Sequence, residues 1–590
     1  MKKINYLIIA LILVTVSCKK DFLNKRPQAE LTTEQLTSID GVEGLLTGAY
    51  SLLNGNVNGT WGNYSSGPSQ WLLGEVTSDD AHKGSNDGDQ PNMNLIQTHQ
   101  PSSTNDNLSI FWDRYFEGVA RCNNTLKVLA NLQAGSGLKL SDARATEIQA
   151  EARLLRAHYN FFLARVFKNV PLITEETTEP AVDNTGDIYP AIVSDLQFAV
   201  ANLANANSKG QVGRVNKIIA QAYLGKVYLY QKKYAEALPL FQTVIASRPA
   251  LATLPYKDNF DITKENGPES IFAVQHAVGG DGTGGDNGNV GDMLNYPYGG
   301  TAKTTCCGFY QPSVDLANSF KVTPEGLPYL DNTYRQNPYT SDLLLSGPAK
   351  TGYEVNKTLR VDPRMDYTLG RRGVPFRDWG LMEGDPWIRE VASGGPFVPY
   401  KNTIEFSQFA TGNAPGATNI NGLNVNIIRL ADVYLMAAEC QVELGNLNGA
   451  LLLVNAVRTR AANLDVATDK AVGVKTIDGK PTIVPMPVKD GGSLIANYQV
   501  QPYTSFPSQT YARTAVRFER RLELAMEGHR FYDLVRWGVL KQTLEPYFAF
   551  EGAYTKYLNG VTITPEDEYF PIPQDQLDRS NGILKQNPGY

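Results

Sequence analysis

The stretch QAYLGKVYLYQKKYAEALPLFQTVIASRP, residues 221–249, decides the fold of this chain. It contains two runs in which small and large apolar side chains recur at helical spacing. Small side chains at Gly225 and Ala237 let two helices approach closely, and the rings of Tyr228 and Phe241 fill the space between them. The stretch therefore predicts two antiparallel helices joined by a short turn.

This spacing follows the tetratricopeptide repeat, a two-helix unit with the pattern W-x2-L-G-x2-Y…A-x3-F…P. Pro249 completes the match, since proline cannot continue a helix. Only the first position departs from the pattern, because Gln221 stands where tryptophan is usual. A degenerate second copy covers Arg429 to Ala462 in the same register, with a turn at Gly445-Asn446. Its packing positions hold Tyr434, Ala437, Ala438, Ala450 and Val454.

Two further helix pairs are predicted from apolar spacing: 36–53 with 109–132, and 142–167 with 187–204. A helix pair of this kind cannot bury its apolar face alone, so several pairs must stack. Another helical segment is predicted from Arg513 to Trp537. The chain is therefore predicted to be mainly α, a tetratricopeptide-like α-solenoid of about four helix pairs.

Long excursions interrupt this scaffold. Residues 251–425 hold few helical patterns and many Gly, Pro, Asn and Tyr, as in FRDWGLMEGDPW at 376–387. Segments this long without regular structure are either functional or disordered, and their aromatic content argues against disorder. We expect one domain over residues 18–590, with helical parts at 18–250 and 426–590 on either side of the loop-rich part.

The N-terminus, MKKINYLIIALILVTVSC, has the pattern of an export signal. Lys2 and Lys3 precede an apolar run that is too short to span a bilayer but has the length of a signal-peptide core. A cysteine directly after such a core resembles a bacterial lipobox, although Thr15 stands where leucine is usual. We therefore predict a signal peptide at 1–17 and lipidation of Cys18, and the acyl chains would hold the protein on a membrane.

Composition excludes several classes of function. The net charge is -6 and no basic block follows the leader, so nucleic-acid binding is not expected. The five histidines are scattered and give no support for a transition-metal site. The remaining cysteines form no disulfide framework, and the adjacent Cys306 and Cys307 are either a vicinal disulfide or, as we favour from sequence, two buried thiols.

No cofactor is predicted. The Asp/Asn/Gly stretches GSNDGDQPN and GGDGTGGDNGNVGD could supply oxygen ligands to calcium, but neither follows the spaced calcium-loop pattern, and such composition more often forms solvated turns. Glu519, Glu523 and Glu527 stand four apart beside arginines, which indicates a structural ion-pair ladder on one helix rather than acid–base catalysis.

Several segments together resemble the SusD/RagB family of nutrient-binding surface lipoproteins. They occur in the family's order and are DFLNKRP after the lipobox, GLLTGAYSLL, LARVFKNVPL, GRVNKIIAQAYLGKVYLY, RLADVYLMAAE, ERRLELAMEGHRFYDLVRWG and the terminal YFPIP…NPGY. The resemblance implies an outer-membrane lipoprotein at the cell surface, with four helix pairs as scaffold and the loops as ligand face. It also implies that the protein caps a SusC-like TonB-dependent transporter and delivers cargo to it.

The resemblance directs attention to the loop after the first helix and to the central excursion. A glycan binder needs aromatic platforms beside side chains that make directed hydrogen bonds. The candidates in the first loop are Trp61, Tyr64, Trp71, Asp79, Asp80 and Asn86. Those in the excursion are Tyr296, Tyr298, Phe309, Tyr310, Arg377, Asp378, Trp379 and Trp387.

The expected function is capture of an oligosaccharide or polysaccharide for the transporter, without catalysis. One alternative keeps the transporter and makes peptide the cargo. Another is a glycan-degrading enzyme, which needs two carboxylates at a fixed separation, and the sequence marks no such pair. A third is a protein-interaction scaffold that binds peptide in the concave face of the repeats.

Overall fold

The computed structural model describes residues 36–55, 63–179, 181–279, 287–464, 474–477, 480–483 and 494–590. Signal peptide, Cys18 and Trp61 lie outside these residues. The α-helices of the described chain, numbered α1 to α17, span Ile39–Ser51, Pro91–Gln97, Asp106–Ala134, Asp142–Phe167, Tyr189–Asn202, Lys217–Tyr230, Tyr234–Ala246, Val314–Ser319, Gly347–Thr351, Val391–Gly394, Phe409–Gly412, Leu430–Glu443, Leu447–Ala462, Gln509–Leu524, Arg530–Arg536, Leu540–Glu551 and Gln574–Arg579.

The strands are short and pair two by two. Numbered β1 to β12, they span Ala81–Gly84, Ser270–Val274, Phe309–Pro312, Arg360–Val361, Leu369–Gly370, Pro375–Phe376, Gly380–Leu381, Val398–Pro399, Val425–Arg429, Val474–Ile477, Lys480–Ile483 and Asn497–Tyr498. The pairs are β1 with β3, β2 with β9, β5 with β8, β6 with β7, β10 with β11, all antiparallel, and β4 with β12, which is parallel.

The predicted helix pairs are confirmed. Helices α1 and α3, α4 and α5, α6 and α7, and α12 and α13 pack against each other. Neighbouring pairs also stack, because α3 contacts α4, α5 contacts α6, and α7 contacts α12 across the whole excursion. The chain therefore has the mainly helical, solenoid-like fold that the repeat pattern predicts.

The first repeat shows why the pattern has small residues at fixed positions. A Cβ atom on Gly225 would lie 2.6 Å from the ring of Phe241, so only glycine lets α6 approach α7 this closely. Ala237 and Phe241 are fully buried at this contact. The side chain of Asn216 accepts a hydrogen bond from the backbone N–H of Ile219 and caps α6 at its start.

The segment 513–537 was expected to form one helical segment, but it contains two helices. Helix α14 ends at Leu524 and α15 begins at Arg530. Between them Met526 and Gly528 have φ of 64° and 74°, in the left-handed region that a helix cannot include. A Cβ on Gly528 would lie 1.9 Å from the carbonyl oxygen of Ser69, so the break lets the chain approach the first loop.

Glu519 and Glu523 of α14, and Glu527 just after it, form ion pairs, but not the ladder along one helix that the sequence indicates. Arg429 donates to Glu269, Glu523 and Glu527 over 2.7–2.8 Å, and all four side chains are buried or nearly so. The connected network balances five acids with five bases: Glu269, Asp362, Glu519, Glu523 and Glu527 with Arg364, Lys401, Arg429, Arg458 and Arg460. These pairs join the excursion to the helical scaffold.

Candidate ligand-binding surface

The predicted aromatic residues of the excursion form a small core rather than an exposed platform. Tyr296, Trp379 and Trp387 are at most 1% exposed. Their polar atoms are used inside the protein: Trp379 Nε1 donates to the carbonyl oxygen of Ile404 at 2.9 Å, and Asn421 Nδ2 donates to the hydroxyl of Tyr296 at 2.6 Å. The expectation that these three rings are accessible is wrong, because distant residues cover them.

The aromatic residues near the first loop are covered in the same way. Trp71 lies in a buried π-helical turn, Trp71–Val76, and its Nε1 donates to the carbonyl oxygen of Gly291 at 3.0 Å. Its ring contacts Phe309 and Tyr310 of β3 at centroid distances of 6.2 and 5.7 Å. All three rings are buried, so their predicted exposure is also wrong.

The predicted acids and Arg377 are buried as well. Asp79 and Asp80 pair with Arg521, and Asp79 also pairs with Arg530. Burial raises the pKa of Asp79, but the two arginines outweigh it and hold that pKa well below its usual range.

Asp378 and Arg377 hold one loop together. The Asp378 carboxylate accepts from the backbone N–H groups of Phe406 and Ser407, and the guanidinium of Arg377 lies 4.3 Å from the ring centre of Tyr400. These side chains therefore join segments of the excursion to one another.

Three predicted residues remain partly accessible, and two of them, Asn86 and Tyr298, lie close to one carboxylate, Asp89. Tyr64, Asn86 and Tyr298 are half-buried. Asn86 Oδ1 accepts from the backbone N–H of Asp89 at 3.1 Å. The pKa of Tyr64 is raised by burial and by the charge of Asp89. Tyr298 reaches the same place through Arg389, whose guanidinium lies 5.2 Å from the Tyr298 ring centre and whose Nη1 donates to Asp89 Oδ2 at 2.5 Å.

We call the accessible set the Asp89 surface: Tyr64, Asn86, Asp89, Tyr298 and Arg389, with the buried Lys83 beneath it. Strands β1 and β3 support it, since Lys83 in β1 donates from Nζ to the carbonyl oxygens of Asn86 and Asp89 at 2.8 and 2.6 Å. Burial lowers the pKa of Lys83 to about 8 despite the nearby acids. Asp89 and Arg389 keep 27% and 30% of their side chains exposed, so both can exchange hydrogen bonds with a ligand.

The buried aromatic core positions the accessible rings. The backbone N–H of Tyr298 donates to the carbonyl oxygen of Trp387 at 2.8 Å. Cys306 and Cys307 lie beside the same surface and form a vicinal disulfide, the alternative that we did not favour from sequence. A Cβ on the next residue, Gly308, would lie 3.2 Å from the Cβ of Arg389 and 3.5 Å from that of Tyr298.

A cavity of about 640 Å³ adjoins the described start of the first loop at Asn54. It is lined by the end of α1 (residues 47–54), residues 211–214, the end of β2 with residues 275–277, and Asn287. Its volume falls in the range of ligand pockets. Within its wall, the hydroxyl of Tyr50 donates to Glu151 at 2.7 Å and Arg214 pairs with the same carboxylate at 2.9 Å.

The first loop connects this cavity to the Asp89 surface. The chain leaves the described residues after Gly55 and returns at Asn63, whose Nδ2 donates to the carbonyl oxygen of Asn54 at 3.3 Å. Asn54 lines the cavity, and Tyr64 belongs to the Asp89 surface. Trp61 lies in the intervening segment, so its contact with ligand stays a prediction.

Sequence reasoning missed Lys83, Asp89 and Arg389. Asp89 lies in the GSNDGDQPN stretch that we read as a solvated turn or a calcium ligand. No pattern singles out Arg389, since its partners Asp89 and Tyr298 are far away in sequence.

Residues 268–590 match the family model described as SusD family. The chain belongs to the SusD family. Residues 21–229 match a second model, described as "Starch-binding associating with outer membrane", which links this SusD-family chain to that membrane. The description of the family thus agrees with the resemblance that the sequence motifs carry.

Relatives cover the whole chain. The SusD-like protein P25 of Formosa agariphila is 24% identical over 98% of this chain and 98% of its own length. A SusD superfamily protein from Bacteroides vulgatus has a TM-score of 0.66 and 21% identity, covering 94% of this chain and 100% of that one. A structure titled "Laminarin binding SusD-like protein" has a TM-score of 0.61 and 25% identity, covering 93% and 99%.

Two features are absent from the described residues of this SusD-family chain. None of their helices has both the length and the apolar character to cross a bilayer. Nor do three or more His, Cys, Asp and Glu side chains come together in this part of the chain as a metal centre.

Proposed function

We propose that this protein captures glycan at the cell surface and passes it, uncleaved, to a SusC-like TonB-dependent transporter. The observation that carries the proposal is that Asn86, Arg389 and Tyr298 meet at Asp89, a carboxylate that stays partly exposed. Tyrosine rings present apolar faces to the C–H groups of a sugar, while the carboxylate, amide and guanidinium exchange directed hydrogen bonds with its hydroxyls.

Membership of the family supports glycan as the cargo. The model that matches residues 21–229 is described as starch-binding, and the relative at 25% identity is titled as laminarin binding. Laminarin and starch are therefore the first two polysaccharides to test.

Lipid attachment through Cys18 is part of the proposal. The residue directly follows an apolar export signal, and the second family model is described as associating with the outer membrane. In cells, Cys18→Ala is expected to move the protein from the membrane to a soluble fraction. Retention of the variant in the outer membrane would contradict lipidation at this residue.

Binding is tested by affinity gel electrophoresis of the mature protein in laminarin and in starch. The double variant Tyr298→Ala and Arg389→Ala is expected to lose the retardation shown by the unsubstituted protein. Phe406→Ala is the matched control, because Phe406 is an aromatic side chain with 46% exposure that lies outside the Asp89 surface.

Unchanged retardation of the double variant would place the glycan elsewhere. If the protein retains peptides and is not retarded by any of a panel of polysaccharides, the result would instead support peptide as the cargo. Appearance of new reducing ends on incubation with a retained glycan would contradict the absence of catalysis.

A further inference from the structure

The vicinal disulfide of Cys306 and Cys307 lies at the edge of the Asp89 surface. The carbonyl oxygen of the next residue, Gly308, accepts a hydrogen bond from the backbone N–H of Ser85 at 2.6 Å. The hydroxyl of Ser85 in turn donates to Asp89 Oδ2 at 3.0 Å. The disulfide is therefore one residue away from the contact that supports the carboxylate of the surface.

Gly308 also holds the disulfide close to two other side chains of the surface. Its backbone runs directly against Arg389 and Tyr298, as the short distances from a Cβ at this position show. The backbone N–H of Gly308 donates to the carbonyl oxygen of Tyr296 at 2.9 Å, which joins this segment to the buried aromatic core. The position of the disulfide relative to the surface is therefore fixed by backbone contacts.

One of the two cysteines is accessible. Cys306 is half-buried, whereas Cys307 is 7% exposed and belongs to the main hydrophobic core. The pair is thus anchored through one cysteine and presents sulfur and methylene groups of the other. The tryptophan rings predicted as platforms, Trp71, Trp379 and Trp387, are buried. Beyond the tyrosines, the apolar face of a sugar therefore needs another partner at this surface.

A vicinal disulfide suits this role because it is apolar and rigid. The S–S bond closes a small ring through the peptide bond that joins the two cysteines, so their side chains have no free rotamers left to lose when a ligand binds. Its sulfur atoms are polarisable and make favourable contacts with apolar groups and rings. These are the properties that also make aromatic side chains good platforms for a sugar.

Stability of the fold is a weaker reason for this disulfide. A disulfide stabilises a protein mainly by restricting the unfolded chain, and the effect grows with the length of the loop that it closes. Cys306 and Cys307 are adjacent in sequence, so their bond closes the shortest possible loop and links no distant elements. Contact with ligand accounts better for a disulfide at this position.

We propose that the Cys306–Cys307 disulfide contacts bound glycan and forms an apolar platform for one sugar ring. The hydroxyl groups of the glycan would then reach Asp89 and Arg389 beside it. The inference rests on the proposed glycan-binding function of the Asp89 surface. Two free thiols would form a poorer platform, because each cysteine side chain regains its freedom to rotate. Reduction of the disulfide is therefore expected to weaken glycan binding.

The test is a calorimetric titration of the mature protein with oligosaccharides of laminarin and of starch, before and after reduction by a water-soluble phosphine. In the reduction the S–S bond breaks, two thiols form with hydrogen from water, and the phosphine becomes its oxide. Reduction is expected to raise Kd by about three- to tenfold, the size of one favourable sulfur contact. Reoxidation by oxidised glutathione, which is converted to two molecules of reduced glutathione, is expected to restore the original Kd.

Direct contact is tested by protection of the disulfide. A saturating concentration of glycan is expected to slow its reduction by the phosphine, because the bound sugar covers the accessible sulfur of Cys306. Mass spectrometry of alkylated samples measures the fraction reduced with time. Equal rates with and without glycan would overturn the proposal, since a disulfide that only supports neighbouring residues is not covered by ligand.

The double variant Cys306→Ala and Cys307→Ala is expected to bind glycan as weakly as the reduced protein, to be insensitive to the phosphine, and to keep its Tm within about 2 °C. Cys122→Ala with Cys440→Ala is the matched control, because both are buried free thiols in helices α3 and α12. This control is expected to keep the full affinity and the full response to reduction.

Two outcomes separate this inference from the function on which it rests. If Tyr298→Ala with Arg389→Ala abolishes binding while the reduced protein keeps its Kd, the surface binds glycan and the platform is overturned. If the oxidised, unsubstituted protein binds none of the glycans, the proposed function fails and the platform falls with it. A loss of affinity in Cys306→Ala with Cys307→Ala that is accompanied by a larger fall in Tm would mark a structural role and would also overturn the proposal.

Discussion

Trp379→Ala tests whether the Trp379 ring supports the fold or contacts ligand. Trp379 is 1% exposed, and its ring lies 5.1 Å from Phe376, 5.6 Å from Phe409 and 6.2 Å from Trp387 between centroids. A tryptophan side chain buries about 200 Å², so at about 25 cal/mol/Å² its transfer from water contributes about 5 kcal/mol. Measured core substitutions of this kind cost about 3–5 kcal/mol.

The same substitution leaves the carbonyl oxygen of Ile404 without the donor that Trp379 Nε1 provides, which adds about 1 kcal/mol. We therefore expect a total loss of about 4–6 kcal/mol. A chain of 590 residues has an unfolding entropy of about 1.2 kcal/mol/K, so Tm is expected to fall by about 3–5 °C. Differential scanning fluorimetry measures this shift.

Binding provides the second readout. At a temperature well below unfolding, Trp379→Ala is expected to retain glycan retardation, whereas Tyr298→Ala is expected to lose it with little change in Tm. The reverse result would refute the reasoning: if Trp379→Ala keeps its Tm and loses binding, the excursion opens this core to ligand.

Three further outcomes follow from the fold. Arg429→Met removes the common partner of Glu269, Glu523 and Glu527 and leaves these buried carboxylates without it. We therefore expect the free energy of unfolding, measured by urea denaturation, to fall by about 3–5 kcal/mol or more. Unchanged stability would contradict the role of this network. Gly225→Val is expected to prevent close packing of α6 and α7 and to lower soluble yield, whereas Gly44→Ala, where an added Cβ meets nothing within 4 Å, is its control. Burial raises the pKa of Glu265 to about 7. Between about pH 4.5 and 7 the folded protein therefore binds more protons at Glu265 than the unfolded chain does. The free energy of unfolding falls as pH rises through this window. Glu265→Gln has a neutral side chain at every pH. It is expected to be more stable than the unsubstituted protein by about 1–2 kcal/mol at pH 8, after allowance for partial exposure, and no more stable at pH 4.5. Equal pH profiles of Tm for the two proteins would contradict this.

The helical scaffold could be predicted because its signal is local. Gly225, Tyr228, Ala237 and Phe241 pack within one helix pair, so their spacing in sequence is their spacing in space. The second copy at 430–462 follows the same rule.

The candidate site could be predicted only in part, because exposure in the excursion depends on distant residues. Trp379 is surrounded by glycine and polar residues in sequence, yet Ile404 and Phe409 cover it in the fold. Asp79 and Asp80 look available in the sequence, but both are buried and pair with Arg521, more than 400 positions away. Composition directs attention to these loops but cannot tell which face of each loop is turned inwards.

The excursion leaves and rejoins the scaffold at neighbouring points. Strand β2 near its start pairs antiparallel with β9 at its end, and α7 contacts α12 as if nothing intervened. Evolution can therefore exchange most of this insert for another of different length, and so change what is recognised, without rebuilding the stacked helices. The restriction is electrostatic: a grafted insert must bring replacements for Asp362, Arg364 and Lys401, whose charges complete the buried balance at the junction.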